Sequence, residues 1–439
     1  MNKKIESLLL LLKYTIPEDL FKEKIGTGDD LNRLINEGIV EKTISGVRVN
    51  ESFYEKCKHI LTDGEKLKLH TEMIESFYLP KIDTASICDY NDFSNIYIYF
   101  KNLAYHYFAI NKFDESMQVV EKIAKKMFYW GLKNELTSYL ESLDDNTLTH
   151  RNKLLKMYYY NFTHILSSSS LEDKLAKIED NFQLLDKIKD VDLLLYFESR
   201  NLYGIYNRVW KSNIPEAKRT YHEVIEEIKK LQGENFQFDT ILGKIYENLS
   251  FCYQVDKAYE EAEELFEKAE EHLKRSQDIY ELAKLYFYKT YFAESVKGDL
   301  IWIQSFIKLN EYIDKYTLPD IERNTLKFIS DVEKKNGEIE NYFKLMSKVL
   351  DCDLILDKEY FINDFVAIFN VIKEKKESNS EIIVNGINHI LNFLRSTDLE
   401  DEILFFELIL AYLKSENYCL IRNKIKNKSL IELFNKMIV

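Results

Sequence analysis

Turn-forming residues are scarce in this sequence. Only 12 glycines and 4 prolines occur among its 439 residues. Because these two residues dominate the tight turns of sheet proteins, their scarcity excludes a sheet-rich fold of this length. Hydrophobic residues make up 46% of the chain and charged residues 31%, so a long helical array can bury an extended core and still face water. The composition therefore predicts an all-α protein.

Cysteines are few and scattered. There are five, they never form a CxxC pair, and they stand at Cys57, Cys88, Cys252, Cys352 and Cys419. An odd number without paired spacing excludes a disulfide framework and a zinc site, and it indicates a reducing compartment.

Long apolar runs are also missing. The longest fall far short of the roughly 20 residues that span a bilayer. Lys3 and Lys4 precede five leucines, as in a signal peptide, but Glu6 and Lys13 bracket that run and no small-residue cleavage site follows. We expect a cytoplasmic protein without a membrane segment.

Catalytic and cofactor motifs are absent as well. The sequence has no GxxxxGK[ST] phosphate loop, no HExxH, no GxSxG and no glycine-rich dinucleotide turn, and its eight histidines show no ligand spacing. We expect a protein that is not an enzyme and that has no catalytic residues, no metal site and no cofactor.

The charge balance is acidic, with a formal net charge of −14. Such a field repels nucleic acid over most of a surface, so DNA or RNA binding would need a concentrated basic patch. The best local candidate is Arg422, Lys424, Lys426 and Lys428, for which a solvated helix is the alternative explanation. The charge favours a peptide or protein partner and leaves a homo-oligomer open.

One segment, Gly243–Ser276, carries a strong repeat pattern. Its aromatic, leucine and small residues recur at spacings of three, four and seven, which gives each helix of a hairpin one apolar stripe. They are Tyr246, Leu249, Ser250, Tyr253, Tyr259, Ala262, Phe266 and Ala269, with the turn at Lys257-Ala258. The segment resembles a tetratricopeptide repeat, a helical hairpin of about 34 residues. Such a hairpin cannot bury its apolar face alone, so neighbouring repeats are required.

A second segment, Tyr97–Trp130, matches the same pattern. The equivalent positions hold Phe100, Leu103, Ala104, Tyr107, Phe113, Ser116, Val120 and Ile123. Weaker matches to the repeat pattern continue to the C-terminus. The resemblance implies a right-handed superhelix of degenerate tetratricopeptide-like hairpins, roughly eight of them, whose concave wall holds extended peptides or partner helices.

The first 62 residues follow a different pattern. Helices are predicted at Ile5–Tyr14, from Thr15 with Pro17 in its first turn, at Gly28–Glu37 and from Glu51 to about Leu61. Between the last two, Val40, Ile44, Val47 and Val49 lie in two β-prone runs joined by Ser45-Gly46. Three helices followed by a hairpin outline a winged helix.

The segment LNRLINEGIVEK is followed by the hairpin and by the helix at Glu51. This arrangement resembles the winged-helix modules that precede helical repeats in signal-transduction ATPases of the STAND type. We expect no nucleotide-binding domain before it, because Met1 begins the winged helix itself. A helix follows at Asp63–Leu79, then Pro80 and a polar segment. We therefore predict a winged-helix-like domain at 1–62, a connecting helix and linker at 63–95, and a repeat array at 96–439.

The winged helix has two interpretations. A DNA reader brings cations to bases and phosphates. Here the region between Gly26 and Asn50 sets Arg33, Lys42 and Arg48 against Asp29, Asp30, Glu37 and Glu41. This acidic balance favours a module that docks protein or dimerises over one that binds DNA.

Candidate groove residues follow from the repeat positions that face inward. They are Lys101, Asn102 and Tyr105 in one repeat, with Phe108, and Glu247, Asn248 and Phe251 in the other, with Gln254. Asn102, Asn161, Asn201 and Asn248 recur just before the Leu or Phe of their helices. An amide side chain offers a donor and an acceptor, so a ladder of them can pair with a peptide backbone. The alternative is that each Asn ties neighbouring helices together.

A small helix-turn-helix-like domain before a long repeat array is similar to the architecture of the RRNPP group of peptide-sensing regulators. The amino-acid composition, rich in Lys, Ile, Asn and Tyr, is typical of an AT-rich bacterial or phage genome. The first hypothesis is a non-catalytic scaffold or sensor that binds a peptide or protein segment in the groove and docks through the winged helix. The second is a peptide-controlled transcription regulator. The third is the sensor subunit of a multi-protein bacterial system, such as antiviral defence, with a separate catalytic partner.

Overall fold

The computed structural model describes residues 3–12, 16, 18–43, 46–57, 60–84, 93–167, 172–232, 238–297, 302–316, 318–356, 358–376, 380–397 and 399–438. Within these ranges the chain is helical apart from one two-stranded sheet and its connections, so the predicted all-α fold is confirmed. The chain divides into two compact units, the first made of Met1–Phe128 with Lys133–Ser276 and the second of Tyr129–Leu132 with Gln277–Val439.

The first unit begins with small elements in the predicted order. They are α1 Lys3–Leu9, α2 Glu18–Lys24, α3 Gly28–Asn36, β1 Val40–Thr43, β2 Gly46–Val49 and α4 Glu51–Cys57. A capping box starts α3, because the Thr27 hydroxyl accepts from the Asp30 N–H while the Asp30 carboxylate accepts from the Thr27 N–H. Gly38 follows α3 with φ +69°, a left-handed conformation that suits glycine and ends the helix. Thr15, Pro17, Ile44 and Ser45 lie outside the described residues.

The connecting region is not the single α-helix that the sequence predicts. It consists of α5 Asp63–Glu72, a π-helix at Met73–Tyr78 and α6 Leu79–Thr84. Pro80 is the second residue of α6, which follows the π-helix directly, so its missing N–H lies inside a continuous helical segment. Four of the six residues of the π-helix are buried within the first unit, namely Met73, Ile74, Phe77 and Tyr78. The assignment of residues 1–62 to a winged helix stays a prediction.

Ten helices complete the described part of the first unit. They are α7 Phe93–Ala109, α8 Phe113–Tyr129, α9 Lys133–Ser142, α10 His150–Ile165, α11 Leu175–Phe182, α12 Leu185–Val191, α13 Leu193–Val209, α14 Ile214–Gln232, α15 Asp239–Val255 and α16 Tyr259–Ser276. The two repeats that the sequence predicts are the hairpins α7–α8 and α15–α16. Lys257 forms the predicted turn in the left-handed conformation, with φ +60°, although it is not a glycine.

Small residues let the helices of a hairpin approach closely. A Cβ placed on Gly204 of α13 would lie 2.5 Å from Cζ of Tyr221 on α14, and one on Gly243 of α15 would lie 2.5 Å from Cγ of Leu273 on α16. These spaces are filled by the opposing side chains, which are fully buried. Glycine at these two places therefore lets a large side chain of the facing helix pack directly against the backbone.

The second unit contains α17 Ile279–Lys297, α18 Trp302–Lys315, α19 Pro319–Asn336, α20 Ile339–Leu356, α21 Lys358–Lys375, α22 Ser380–Leu394, α23 Glu400–Leu413, α24 Cys419–Arg422 and α25 Lys428–Ile438. Its core gathers the aromatic rings of Phe343, Phe365, Phe369, Phe405 and Phe406 with aliphatic residues. Three helices are joined by Arg323 of α19, whose guanidinium pairs with Asp353 of α20 and Asp364 of α21.

None of the helices in the described ranges is both long enough and apolar enough to cross a membrane.

Candidate binding site

The first unit has a cavity of about 620 Å³ beside its first hairpin. Three consecutive helices line it. The lining residues are Tyr97, Lys101, Ala104, Tyr105 and Phe108 of α7, Val120, Ile123 and Met127 of α8, and Asn134, Glu135, Ser138, Tyr139 and Ser142 of α9. We call this space the α7–α9 cavity. Its volume lies within the range of small-molecule pockets, about 300–1,000 Å³.

The cavity exists because α9 presents small side chains to the hairpin. Asn134, Ser138 and Ser142 are four residues apart and so lie on one side of α9. Opposite them, α7 and α8 form an apolar floor in which Ala104 and Ile123 are buried. Larger residues on α9 would fill the space, so it follows from this choice of residues.

Tyr139 fixes the wall between α9 and the hairpin. Its hydroxyl lies 2.7 Å from the Ser116 hydroxyl, which in turn donates to the Ala104 carbonyl at 2.7 Å. Burial raises the pKa of Tyr139 well above its ordinary value, so the phenol stays protonated. Ser116 is one of the small repeat positions, and here it orients a wall of the cavity.

A carboxylate at the rim is held from two sides. The Lys101 ammonium lies 2.6 Å from Oε2 of Glu135, and the Tyr97 hydroxyl donates to the same oxygen. The Glu135 side chain is 44% exposed, and its other oxygen, Oε1, accepts no hydrogen bond from the described residues. The cavity thus combines an apolar floor, aromatic walls and one oriented anionic acceptor.

Two of the predicted groove residues, Lys101 and Tyr105, line this cavity, and so does Phe108. Asn102, between them in sequence, points elsewhere. Its side chain is buried, and Nδ2 donates to the Ile98 carbonyl one turn earlier in α7.

The other three asparagines of the predicted ladder are buried among helices. Nδ2 of Asn248 donates to Oδ1 of Asn201 at 3.1 Å, which joins α15 to α13. Oδ1 of Asn161 accepts from Nδ2 of Asn181 at 2.8 Å, which joins α10 to α11. These contacts are those of side chains that tie neighbouring helices together. A role of the ladder in ligand binding stays a prediction.

Glu247 and Phe251 lie apart from the α7–α9 cavity. Glu247 is buried in α15. Phe251 is half-buried, with its ring edge-on to Phe266 and with the Arg208 guanidinium 4.9 Å from its centre. Phe251 therefore takes part in the packing between α13 and α16 in this structure.

A buried ion-pair cluster links three of the hairpins. Glu198 of α13 lies 2.7 Å from the Lys125 ammonium of α8 and 2.8 Å from that of Lys244 of α15. Burial raises the pKa of Glu198, but the two ammonium groups outweigh it and lower the pKa below its ordinary value. The partners stand far apart in sequence, so no local pattern could predict this cluster.

Two histidines meet where the connecting region packs on the first hairpin. The Nδ1 atoms of His70 on α5 and His106 on α7 lie 2.7 Å apart, so one ring donates to the other. Tyr78 of the π-helix stacks on the His106 ring. Burial, with a smaller contribution from Lys66, lowers the pKa of His70 to about 4. Burial also lowers the pKa of His106 well below its ordinary value, so both rings are neutral at physiological pH.

A second cavity of about 720 Å³ lies between α11, α13 and α14. Its lining is polar and its basic groups are paired: Arg200 with Glu223 at 2.5 Å, Arg219 with Glu216 at 2.7 Å and Lys211 with Glu179 at 2.6 Å. A charged ligand there would have to displace these pairs.

Across the described ranges, no group of three or more His, Cys, Asp or Glu side chains is placed to hold a metal ion. Cys252 is fully buried, and burial raises the pKa of its thiol to about 11, as for an inert packed residue.

The fold defines a class: the chain is an all-α protein built of stacked tetratricopeptide-like helical hairpins. No protein-family model matches the sequence, and no curated protein matches it. Among solved structures, the chain is similar to a Signal Transduction ATPase with Numerous Domains (STAND) protein with a tetratricopeptide repeat sensor from Pyrococcus horikoshii. The TM-score is 0.50 at 13% sequence identity, over 100% of this chain and 64% of that one. The chain thus spans a little under two thirds of its neighbour, and the likeness concerns the fold.

Proposed function

We propose that this protein is a non-catalytic sensor or scaffold that binds a peptide or protein segment in the α7–α9 cavity. The observation that carries the proposal is the cavity itself, an apolar floor with an oriented polar rim on the first repeat. Pockets of this composition take an apolar anchor and fix its direction by a few polar contacts. The solved neighbour is described as having a tetratricopeptide repeat sensor, which supports the same class of role.

We further propose that residues 1–62 dock protein. The basic residues of α3 and the hairpin are engaged: Arg33 with Asp30 at 3.2 Å, Lys42 with Glu18 at 3.2 Å and Arg48 with Glu41 at 2.5 Å. Exposed pairs of this kind are weak, so phosphates could compete for the cations, but each carboxylate would then face the DNA backbone. This arrangement favours a protein partner.

The test is retention of a partner by the immobilised full chain from a lysate of the native host, with identification by mass spectrometry. Ser138→Trp places a large ring in the cavity at an exposed position, so folding should be preserved. Ser295→Trp makes the same change on an exposed site of α17, outside the cavity. We expect one stoichiometric partner on wild type and Ser295→Trp, and its loss on Ser138→Trp.

Equal retention by all three proteins, or no stoichiometric partner on any, would contradict the cavity as the binding site. The docking role is tested separately by gel shift with genomic fragments, where specific binding at nanomolar protein would favour a transcription regulator.

A further inference from the structure

The chemistry of the rim restricts the kind of ligand that the α7–α9 cavity can bind. Lys101 cannot readily serve an anionic ligand, because its ammonium already lies 2.6 Å from Glu135. Glu135 is held by Lys101 and Tyr97 through Oε2 alone, which leaves Oε1 directed at no group of the described residues. The charged atom that remains available at the rim is therefore an acceptor with negative charge, while the other polar side chains of α9 in the lining, Asn134, Ser138 and Ser142, are neutral.

The walls favour the same sign of ligand. Tyr97, Tyr105, Phe108 and Tyr139 contribute aromatic rings to the lining, and aromatic faces attract cations. The whole chain carries a formal net charge of −14, so its long-range field draws basic partners and repels acidic ones. The groups that line the cavity and the net charge of the chain thus both favour a cationic ligand.

The floor sets a second requirement. Ala104, Val120, Ile123 and Met127 offer no hydrogen-bonding side-chain group except the weak acceptor sulfur of the methionine. A polar group placed there would lose its water without compensation. An occupant must therefore combine an apolar group for the floor with a cation at the rim.

We propose that the α7–α9 cavity binds a cationic peptide segment, with a bulky apolar side chain on the floor and a neighbouring Lys or Arg paired with Oε1 of Glu135. This inference rests on the proposed function and adds the sign of charge and the anchor. The peptide is held by an ion pair at a half-exposed rim and by apolar burial beneath it, so it combines charge selectivity with an affinity that comes mostly from the anchor.

The experiment is a selection of random twelve-residue peptides, displayed on phage, against the immobilised full chain. Selected peptides are synthesised with a fluorescent label, and their dissociation constants are measured by anisotropy for wild type, Ser138→Trp, Glu135→Gln and Glu141→Gln. Glu141 is an exposed carboxylate on α9 that does not line the cavity, so its variant controls for the general loss of one charge.

We expect the peptides to pair a large apolar residue with Lys or Arg within four positions, and to lose binding on Ser138→Trp. Glu135→Gln should weaken binding by about 5- to 20-fold, as for the loss of one charge-assisted contact, and Glu141→Gln by less than about twofold.

Two results would overturn the inference, and they separate its failure from that of the proposed function. If Ser138→Trp abolishes binding but the peptides are acidic or neutral, or Glu135→Gln binds as well as Glu141→Gln, the cavity is a peptide site of another specificity. If no selected peptide is sensitive to Ser138→Trp, both proposals are wrong.

Discussion

Replacing Gly204 by alanine sets two opposing effects against each other in the packing of α13 on α14. Alanine in a helix interior is favoured over glycine by about 0.5–1 kcal/mol. The new Cβ, however, would lie 2.5 Å from Cζ of Tyr221 and closer still to Cε1, where ordinary contacts begin at 3.4 Å. The ring must therefore retreat by about 0.9 Å at Cζ, the difference of these two distances, and by more at Cε1.

Tyr221 has no room to retreat, because it is fully buried. Overpacking a dense core costs roughly 1–3 kcal/mol, more than the propensity gain. We expect Gly204→Ala to destabilise the first unit by about 1–2 kcal/mol. Gly64 in α5 has no atom within 4 Å of its missing Cβ, so Gly64→Ala should instead stabilise by a few tenths of a kcal/mol.

The assay is urea unfolding followed by circular dichroism, with hydrogen exchange to place the change on α13 and α14. Solenoids often unfold in parts, so the local readout matters. Tyr221→Leu should be less harmful in the Gly204→Ala background than in wild type, with a coupling of about 1 kcal/mol. A urea midpoint for Gly204→Ala at or above the wild-type value would refute the packing argument.

Three further predictions concern other sites. Glu198→Gln should destabilise by about 3 kcal/mol in urea unfolding, because the buried ammonium of Lys244 and the partly exposed ammonium of Lys125 would both lose the Glu198 carboxylate. Lys257→Gly should raise the free energy of unfolding by roughly 1 kcal/mol, because it relieves the backbone strain of a non-glycine residue at φ +60°. The folded-state pKa of His70 is lowered to about 4 from 6.5, so its contribution is full above pH 6.5 and lost as the pH falls through about 4. Unfolding at pH 7 and pH 4.5 should show a smaller stability difference for His70→Gln than for wild type.

The repeats could be predicted because their pattern is local. In Gly243–Ser276 and Tyr97–Trp130, aromatic and small residues at helical spacing determine a hairpin whatever lies around it. The turn at Lys257 and the stop at Gly38 are likewise set by neighbours in sequence. The π-helix at Met73–Tyr78 could not be predicted, because nothing in MIESFY distinguishes it from an α-helix that buries the same residues.

The asparagines show where a local pattern is ambiguous. Their recurrence is visible in the sequence, but the same amide can bind a ligand or a neighbouring helix. The second use is revealed by the contacts of Asn248 with Asn201, across 47 positions, and of Asn161 with Asn181. Lys125, Glu198 and Lys244 had no signal at all, since ordinary charged residues on amphipathic helices are solvated far more often than buried.

The α7–α9 cavity was half predictable for the same reason. Lys101 and Tyr105 were found because α7 follows the repeat pattern, whereas Glu135, Ser138 and Ser142 stand on a ten-residue helix that does not. In a solenoid each binding surface is completed by the next repeat, and specificity requires residues that depart from the consensus. The absence of the pattern in KNELTSYLES, directly after a good repeat, is thus itself the signal. On the side of α9 that lines the cavity, Asn134, Ser138 and Ser142 stand where larger residues would fill the space beside the hairpin.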